Sequence, residues 1–331
     1  MLNALPMPSP FDIYLKMIGS FFTGNNLINS ARRRSFNNFR SISSETRSTY
    51  YFQKRHSSTR NESLVNLKIQ ENGVAIVTLS RPEARNALST DLARQLHSIM
   101  EDISLDCTEH HSISARGNKI RAVVLTGSGS SFCAGADLKE RQSMSDEEWE
   151  TQHKVFQGAA MAFHSIPVPT IAAINGHAFG GGLELICLAD WSIVASNSRF
   201  RFPEVHLGIF PGLGATVTLP RLIGPAIARR LILSAGTFTA EEGYRIGLFA
   251  KIASDGAEAL KMALEDAATV SKNAPNAVQR AKQSLRECSE IVHFTDAWKH
   301  SLRLYGNSFR SEERVEGIRA YGEKRLPNYS K

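Results

Sequence analysis

The sequence of 331 residues predicts an α/β domain, and three observations carry that expectation. Short apolar runs end at glycine, proline or polar clusters and alternate with segments of helical periodicity. One unit can be read whole: an apolar strand over 170–175, a triple-glycine turn, an apolar helix ending near Ala189, and a second apolar strand over 191–195. Beyond about Ala240 the strand-like runs stop and helical spacing takes over.

From the amino end of the folded part, residues 65–70 and 74–80 alternate like two paired strands around the turn Glu71-Asn72-Gly73. Thr90 to about Ile103 carries Leu92, Leu96, Ile99 and Met100 at helical spacing. The polar stretch over 107–119 reads as a surface loop without a catalytic role, and a buried strand is expected over 121–126. Helices are expected over 241–248, 257–273 and 277–288.

Charge separates a leader from this body. The chain holds 39 Lys and Arg against 32 Asp and Glu, a formal net charge of +7. Residues 1–60 contribute nine of the basic residues and two of the acidic ones, which leaves thirty of each, so the body is neutral. A leader rich in Arg, Ser and Asn and poor in acids has the composition of a mitochondrial transit peptide, with a disordered extension as the alternative. Import into the mitochondrial matrix and cleavage between about Arg34 and Glu62 are the expectation. The apolar stretch over 13–22 is interrupted by Lys16 and too short to span a bilayer, so no membrane role is expected. Cys107, Cys133, Cys187 and Cys288 are widely spaced, with no CxxC pair and no histidine cluster at zinc spacing. They read as reduced thiols, and no metal site is expected.

Two glutamates carry the chemical signal. Glu184 follows Gly180-Gly181-Gly182 by two residues and stands among Leu183, Leu185, Ile186, Cys187 and Leu188. Burial there raises a carboxyl pKa toward neutrality, and the helix start offers free N–H groups to developing negative charge. Glu204 follows Pro203 in a second apolar frame that ends at Pro211-Gly212. Two enclosed carboxylates suit a reaction that takes a proton with one and delivers it with the other.

These segments, with 80–88 (SRPEARNAL) and 132–140 (FCAGADLKE) before them, resemble the enoyl-CoA hydratase/isomerase, or crotonase, superfamily. The nearer likeness, carried by 132–141 and by the tail 316–325, is to the branch holding methylglutaconyl-CoA hydratase, its AU-rich-RNA-binding homologue and enoyl-CoA hydratase domain-containing protein 2. The resemblance implies a spiral of repeated β-β-α units over 62–255, after a leader over 1–61. It also implies a carboxy-terminal helical region over 256–331 that packs between subunits of a homotrimer or homohexamer. The substrate it implies is an acyl-CoA thioester, with coenzyme A part of the substrate and no permanently bound cofactor. The reaction adds water across the α,β double bond of a 2-enoyl-CoA, in fatty-acid or branched-chain amino-acid breakdown.

Carried over by motif position, the Ala136 and Gly181 N–H groups form the oxyanion hole, Glu184 activates water and Glu204 delivers a proton to the α-carbon. Gly212 offers its N–H to the water. Ala84, Arg85, Ala87, Ala134, Asp137, Leu138 and Gly180 line the coenzyme A path, with Tyr321 and Lys324 reaching a neighbouring subunit's ligand. From the residues themselves, Asp137 and Asp190 read as capping or local hydrogen-bonding groups, and His177, His206 and Cys133 as packing. The family's frequent Gln-Arg pair is replaced by Val217-Thr218, a change expected to alter hydrogen bonding near the second glutamate or at a subunit contact. Methylglutaconyl-CoA hydration, enoyl-CoA isomerisation and decarboxylation are the enzymatic alternatives. RNA binding is the alternative of another class; Asp91, Glu101 and Asp102 oppose a basic stripe on the helix that would carry it, and nucleic acid is not an expected partner.

Overall fold

The computed structural model describes residues 63–108 and 119–329. The leader and the centre of the polar loop expected over 107–119 lie outside the described residues, as does the expected cleavage region up to Glu62.

The expected hairpin is formed by β1 (Val65–Ile69) and β2 (Val74–Leu79), antiparallel with Val65 opposite Leu79 and Ile69 opposite Ala75. Helix α1 (Thr90–Thr108) runs past Ile103, because Cys107 also finds a buried position and thiol contact at the Ile120 carbonyl. It buries Leu92, Leu96, Ile99, Met100 and Ile103 against the sheet, the face its 3.6-residue spacing predicts.

From here the chain winds as a spiral that places strands alternately in two sheets. Strands β3 (Ala122–Gly127), β5 (Thr170–Ile174), β7 (Trp191–Ala195) and β10 (Lys251–Ala253) extend β1 and β2 into a six-stranded sheet of order β1-β2-β3-β5-β7-β10. All of its pairs except β1/β2 are parallel. Strands β4 (Ser131–Cys133), β6 (His177–Phe179), β8 (Arg199–Arg201) and β9 (Phe238–Thr239) form the second sheet in that order. The crotonase-type α/β spiral expected from the resemblance is thus the observed architecture. The short strands of the second sheet went unread in the sequence, since two or three residues are too few to show a period.

Both faces of the large sheet are buried, as parallel strands require. Along β3, Val123 and Leu125 enter the main core while Ala122 and Val124 face the opposite side. That side is covered by α8 (Gly256–Ser271), whose Ala259, Ala263 and Ala267 recur one turn apart and let the helix lie close.

Helices α2 (Leu138–Arg141) and α3 (Asp146–His164) follow β4, and α4 (Gly181–Leu188) follows β6. Helices α5 (Ala215–Ile223), α6 (Pro225–Ser234) and α7 (Ala240–Arg245) precede β10. After α8 the chain continues through α9 (Pro275–Cys288), α10 (Phe294–Gly306) and α11 (Glu312–Gly322). Helix α3, unassigned from periodicity, is held at its start by a capping box between Ser145 and Glu148; that S-x-x-E pattern is the local signal that marks it. No helix among the described residues is long and apolar enough to cross a membrane.

One close approach sets the distance between spiral turns: a Cβ added at Gly182 would stand 2.4 Å from the Cys133 carbonyl oxygen. Helix α4 can lie against β4 only without a side chain there. Gly182→Ala is expected to cost roughly 1–3 kcal/mol, the usual range for overpacking, and to lower the thermal unfolding midpoint measured by circular dichroism.

Candidate active site

Two loops are laced together where β4 leads into α2. Leu88 N–H donates to the Gly135 carbonyl at 2.7 Å, Asp137 N–H to the Leu88 carbonyl at 2.9 Å, and Ala134 N–H to the Arg85 carbonyl at 3.0 Å. In this parallel bridge the intervening Ala136 N–H points away from the ladder and takes no backbone partner among the described residues. Asn86, fully buried at φ 55°, fixes the turn: its amide donates to the Ser128 and Ser131 carbonyls and its oxygen accepts from Arg81 N–H. Asparagine tolerates this left-handed backbone better than most side chains.

The second donor comes from the start of α4. Gly180 turns the chain at φ 48°, ψ −126°, a region closed to residues with a Cβ. The next residue, Gly181, is the first of the helix, so its N–H has no acceptor within it. The two segments touch: a Cβ on Gly135 would stand 3.5 Å from the Gly181 nitrogen. Ala136 and Gly181 both line one cavity of about 520 Å³, together with Ala134, Leu138, Gly180, Glu184, Glu204 and Gly212.

The two glutamates differ in environment. Glu184 is 2% exposed, and one carboxylate oxygen accepts from Leu213 N–H at 2.8 Å and Ala215 N–H at 3.0 Å. Burial raises its pKa, and the N–H groups of Ala215, Leu213 and Gly212 work against that rise by favouring the charged form. Glu204 opens a short 3-10 turn, Glu204–Leu207, and is 7% exposed. Its Oε2 has no hydrogen-bond partner among the described residues. Burial, with a smaller contribution from the Glu184 charge, pushes it up to about 7. Burial thus raises both carboxyls, but Glu184 meets several opposing backbone amides, whereas Glu204 stands at about 7 with one oxygen unpartnered among the described residues. Beside two free backbone donors, such a pair can stabilise an oxyanion while moving a proton.

The other expected residues fall in different places. The Gly212 amide lies beside Glu184, where it favours the charged carboxylate. Ala84, Arg85, Ala87 and Asp137 do not line the cavity; Arg85 is exposed at φ 54°, and Ala87 is buried beneath the lacing. Asp137 caps α2 through Lys139 and Glu140 N–H and pairs with Arg81 at 2.5 Å, the structural role its position suggested. Asp190 likewise accepts from Thr170 and pairs with Lys282 at 2.7 Å. Tyr321 and Lys324 are exposed on the tail, away from this chain's own cavity. Val217 and Thr218 lie on α5 outside the cavity, where the Thr218 hydroxyl bonds the Gly214 carbonyl. Cys133 is fully buried with its thiol pushed up to about 12, an inert filler. Arg94 of α1 pairs with Asp91 at 3.3 Å.

The cavity wall also holds Arg141, Trp149, His153, Phe156, Leu207, Ile209, Phe210 and Leu213, to which no role was assigned from the sequence. Most come from α3 or the loop after Glu204, and only tertiary packing brings them to the glutamates. No group of three or more His, Cys, Asp or Glu among the described residues could hold a metal ion.

Residues 69–331 match the model of the enoyl-CoA hydratase/isomerase family. The chain belongs to that family. It is 36% identical over 261 residues to the short-chain-enoyl-CoA hydratase of Clostridium acetobutylicum, covering 77% of this chain and 94% of that one. It is 34% identical over 258 residues to the 2,3-dehydroadipyl-CoA hydratase of Escherichia coli, covering 77% and 94%. The crystal structure of an enoyl-CoA hydratase from Bacillus anthracis superposes with a TM-score of 0.75 at 32% identity, covering 81% of this chain and 99% of that one.

A carboxyl held at about 7 is protonated below neutrality and charged above it. Carboxyl-region infrared titration should show a group with a midpoint near pH 7 that Glu204→Gln removes. Because the folded pKa lies above the unfolded one, this residue's contribution to stability is full below the unfolded value and is lost as pH rises toward and through about 7. The stability of Glu204→Gln relative to wild type is therefore expected to increase from pH 5 to pH 8 in denaturant titrations.

Proposed function

We propose that this family member is an enoyl-CoA hydratase, and the observation that carries the reading is the presence of two unequal buried carboxyls in one cavity with two free backbone N–H donors. The thioester oxygen of a 2-enoyl-CoA binds at the Ala136 and Gly181 amides, which stabilise the negative charge that forms there as the double bond is attacked. Glu184, whose charged form the Gly212, Leu213 and Ala215 amides favour against burial, takes a proton from water as the water oxygen bonds the β-carbon. Glu204, in the protonated form that a pKa of about 7 leaves available near neutrality, gives its proton to the α-carbon. After turnover Glu184 holds the proton and Glu204 has lost one, and transfer between them or through solvent restores the starting state. Isomerisation uses the same oxyanion hole but needs no water held between two carboxyls, so the second enclosed glutamate favours hydration.

The two named relatives differ in acyl group, so the family leaves this chain's acyl specificity open. Methylglutaconyl-CoA hydration and a place in fatty-acid or branched-chain amino-acid breakdown belong to this proposal. Coenzyme A is held by the exposed Arg85 turn outside the cavity. The exposed Phe294, Trp298, Leu302, Tyr305 and Phe309 along and just beyond α10 form an apolar stripe of the kind that marks an interface, which supports a homotrimer or homohexamer. The acid-poor, basic leader supports import into the mitochondrial matrix.

Leader-free protein is expected to hydrate crotonyl-CoA or 3-methylglutaconyl-CoA, followed by loss of enoyl absorbance. Glu184→Gln and Glu204→Gln should each lower turnover by roughly 10²–10⁴-fold; near-normal rates in both would refute the assignment. The wild-type kcat/KM should fall above about pH 7, as Glu204 loses its proton. Protein isolated from mitochondria should begin between Arg34 and Glu62 by amino-terminal sequencing, and an intact Met1 would count against import.

A further inference from the structure

We propose that Arg141 is a specificity-determining residue of the acyl cavity, a fixed cation that receives a carboxylate carried at the far end of the 2-enoyl chain. The inference rests on the hydratase reading and adds the class of acyl group that the site selects.

Arg141 ends α2 in the cavity wall and is 9% exposed. Its guanidinium carbon lies 4.2 Å from the ring centre of Trp149 and 5.1 Å from that of Phe156. Its Nε donates to Gln152 Oε1 at 2.8 Å, and Gln152, itself 2% exposed, donates from Nε2 to the Thr90 hydroxyl at 2.9 Å. The Thr90 hydroxyl and N–H in turn donate to the two oxygens of Glu140, at 2.6 and 3.0 Å. The chain Glu140–Thr90–Gln152–Arg141 locks the guanidinium between two aromatic rings. It also occupies Glu140, the carboxylate next to Arg141 in sequence.

What this arrangement lacks is a counter-charge. No carboxylate among the described residues pairs with Arg141, and its two Nη groups take no acceptor there. Burial is the larger influence on the group, outweighing the pull of Glu140. Asp146 and Glu150 reach the same cavity only from exposed positions, and Glu150 pairs with Lys154 at 2.7 Å. A desolvated cation without an anion is costly to maintain, and its surroundings are those of a binding group awaiting a charged ligand. With Nε engaged by Gln152, the paired Nη edge remains, the geometry that takes a carboxylate through two parallel hydrogen bonds. Coenzyme A phosphates are assigned to the exposed Arg85 side, so the part of the substrate that shares the enclosed wall with Arg141 is the acyl chain.

The test compares kcat/KM for glutaconyl-CoA with that for uncharged crotonyl-CoA and 2-pentenoyl-CoA, in wild type, Arg141→Met and Arg141→Lys. Wild type should prefer the carboxylated substrate, and Arg141→Met should reduce that preference by about 10- to 100-fold, the span of a hydrogen bond to a charged group. Arg141→Lys should keep part of it, since charge remains while the fork is lost. Hydration of the uncharged substrates without preference for glutaconyl-CoA in wild type overturns the proposal and leaves the hydratase reading intact. An equal rise in KM for all three substrates in Arg141→Met also overturns it, because that places the residue on the shared coenzyme A portion. If nothing is hydrated, the hydratase reading falls, and equilibrium binding of glutaryl-CoA against butyryl-CoA decides the role of Arg141 independently. Tighter glutaryl-CoA binding that Arg141→Met abolishes supports it; equal binding in wild type overturns it.

Discussion

The site depends on how closely α4 lies against β4. With no room for a Cβ between Gly182 and the Cys133 carbonyl, the helix start comes level with the loop after β4. Two backbone amides from turns of the spiral some forty-five residues apart (Ala136, Gly181) then line the same cavity. The same placement carries Glu184, one turn further into α4, under the 212–215 loop that supplies its amides. The donors and the first carboxylate are consequences of one packing distance.

Within the cavity, similar burial has two outcomes. Removal from water raises both glutamates, and what separates them is the backbone each one meets. Three N–H groups converge on Glu184. Glu204 sits on a tight 3-10 turn with one oxygen left without a partner. Two carboxyls of unequal proton affinity thus arise from the same side chain in the same apolar space. No cation or metal within that pair is needed to set them apart.

The opposite wall is built on another logic. Helix α3 brings Trp149, Gln152 and Phe156 around Arg141, and the aromatic faces replace part of the hydration that the guanidinium gives up. An arginine so held is rigid, and rigidity is what lets a cation choose among ligands by position as well as charge. The glutamates and Arg141 sit on different elements, so the Arg141 surroundings can change along α3 while the Ala136 and Gly181 amides stay where β4 and α4 hold them.

Much of this was legible in the sequence where the cause is local. The β1–β2 hairpin, α1, β5, α4 and β7 follow from alternation, helical spacing and glycine punctuation, all of which act within a few residues. Glu184 and Glu204 stood out because a charged residue in an apolar frame is conspicuous in any order of reading. Helix α3 was missed although its Ser145–Glu148 box was present, since the weight of polar residues at its start hides the buried face. The sequence by itself determined the α/β class and singled out the two carboxylates, through composition and short-range pattern. Only the tertiary structure decided that the Gly212 amide lies beside Glu184, that Ala84 and Arg85 stay outside the cavity, that burial lifts Glu204 to about 7, and that Arg141 lies buried in the cavity wall without a counter-charge. Each of these is set by what distant segments place against the residue, and that information is not local.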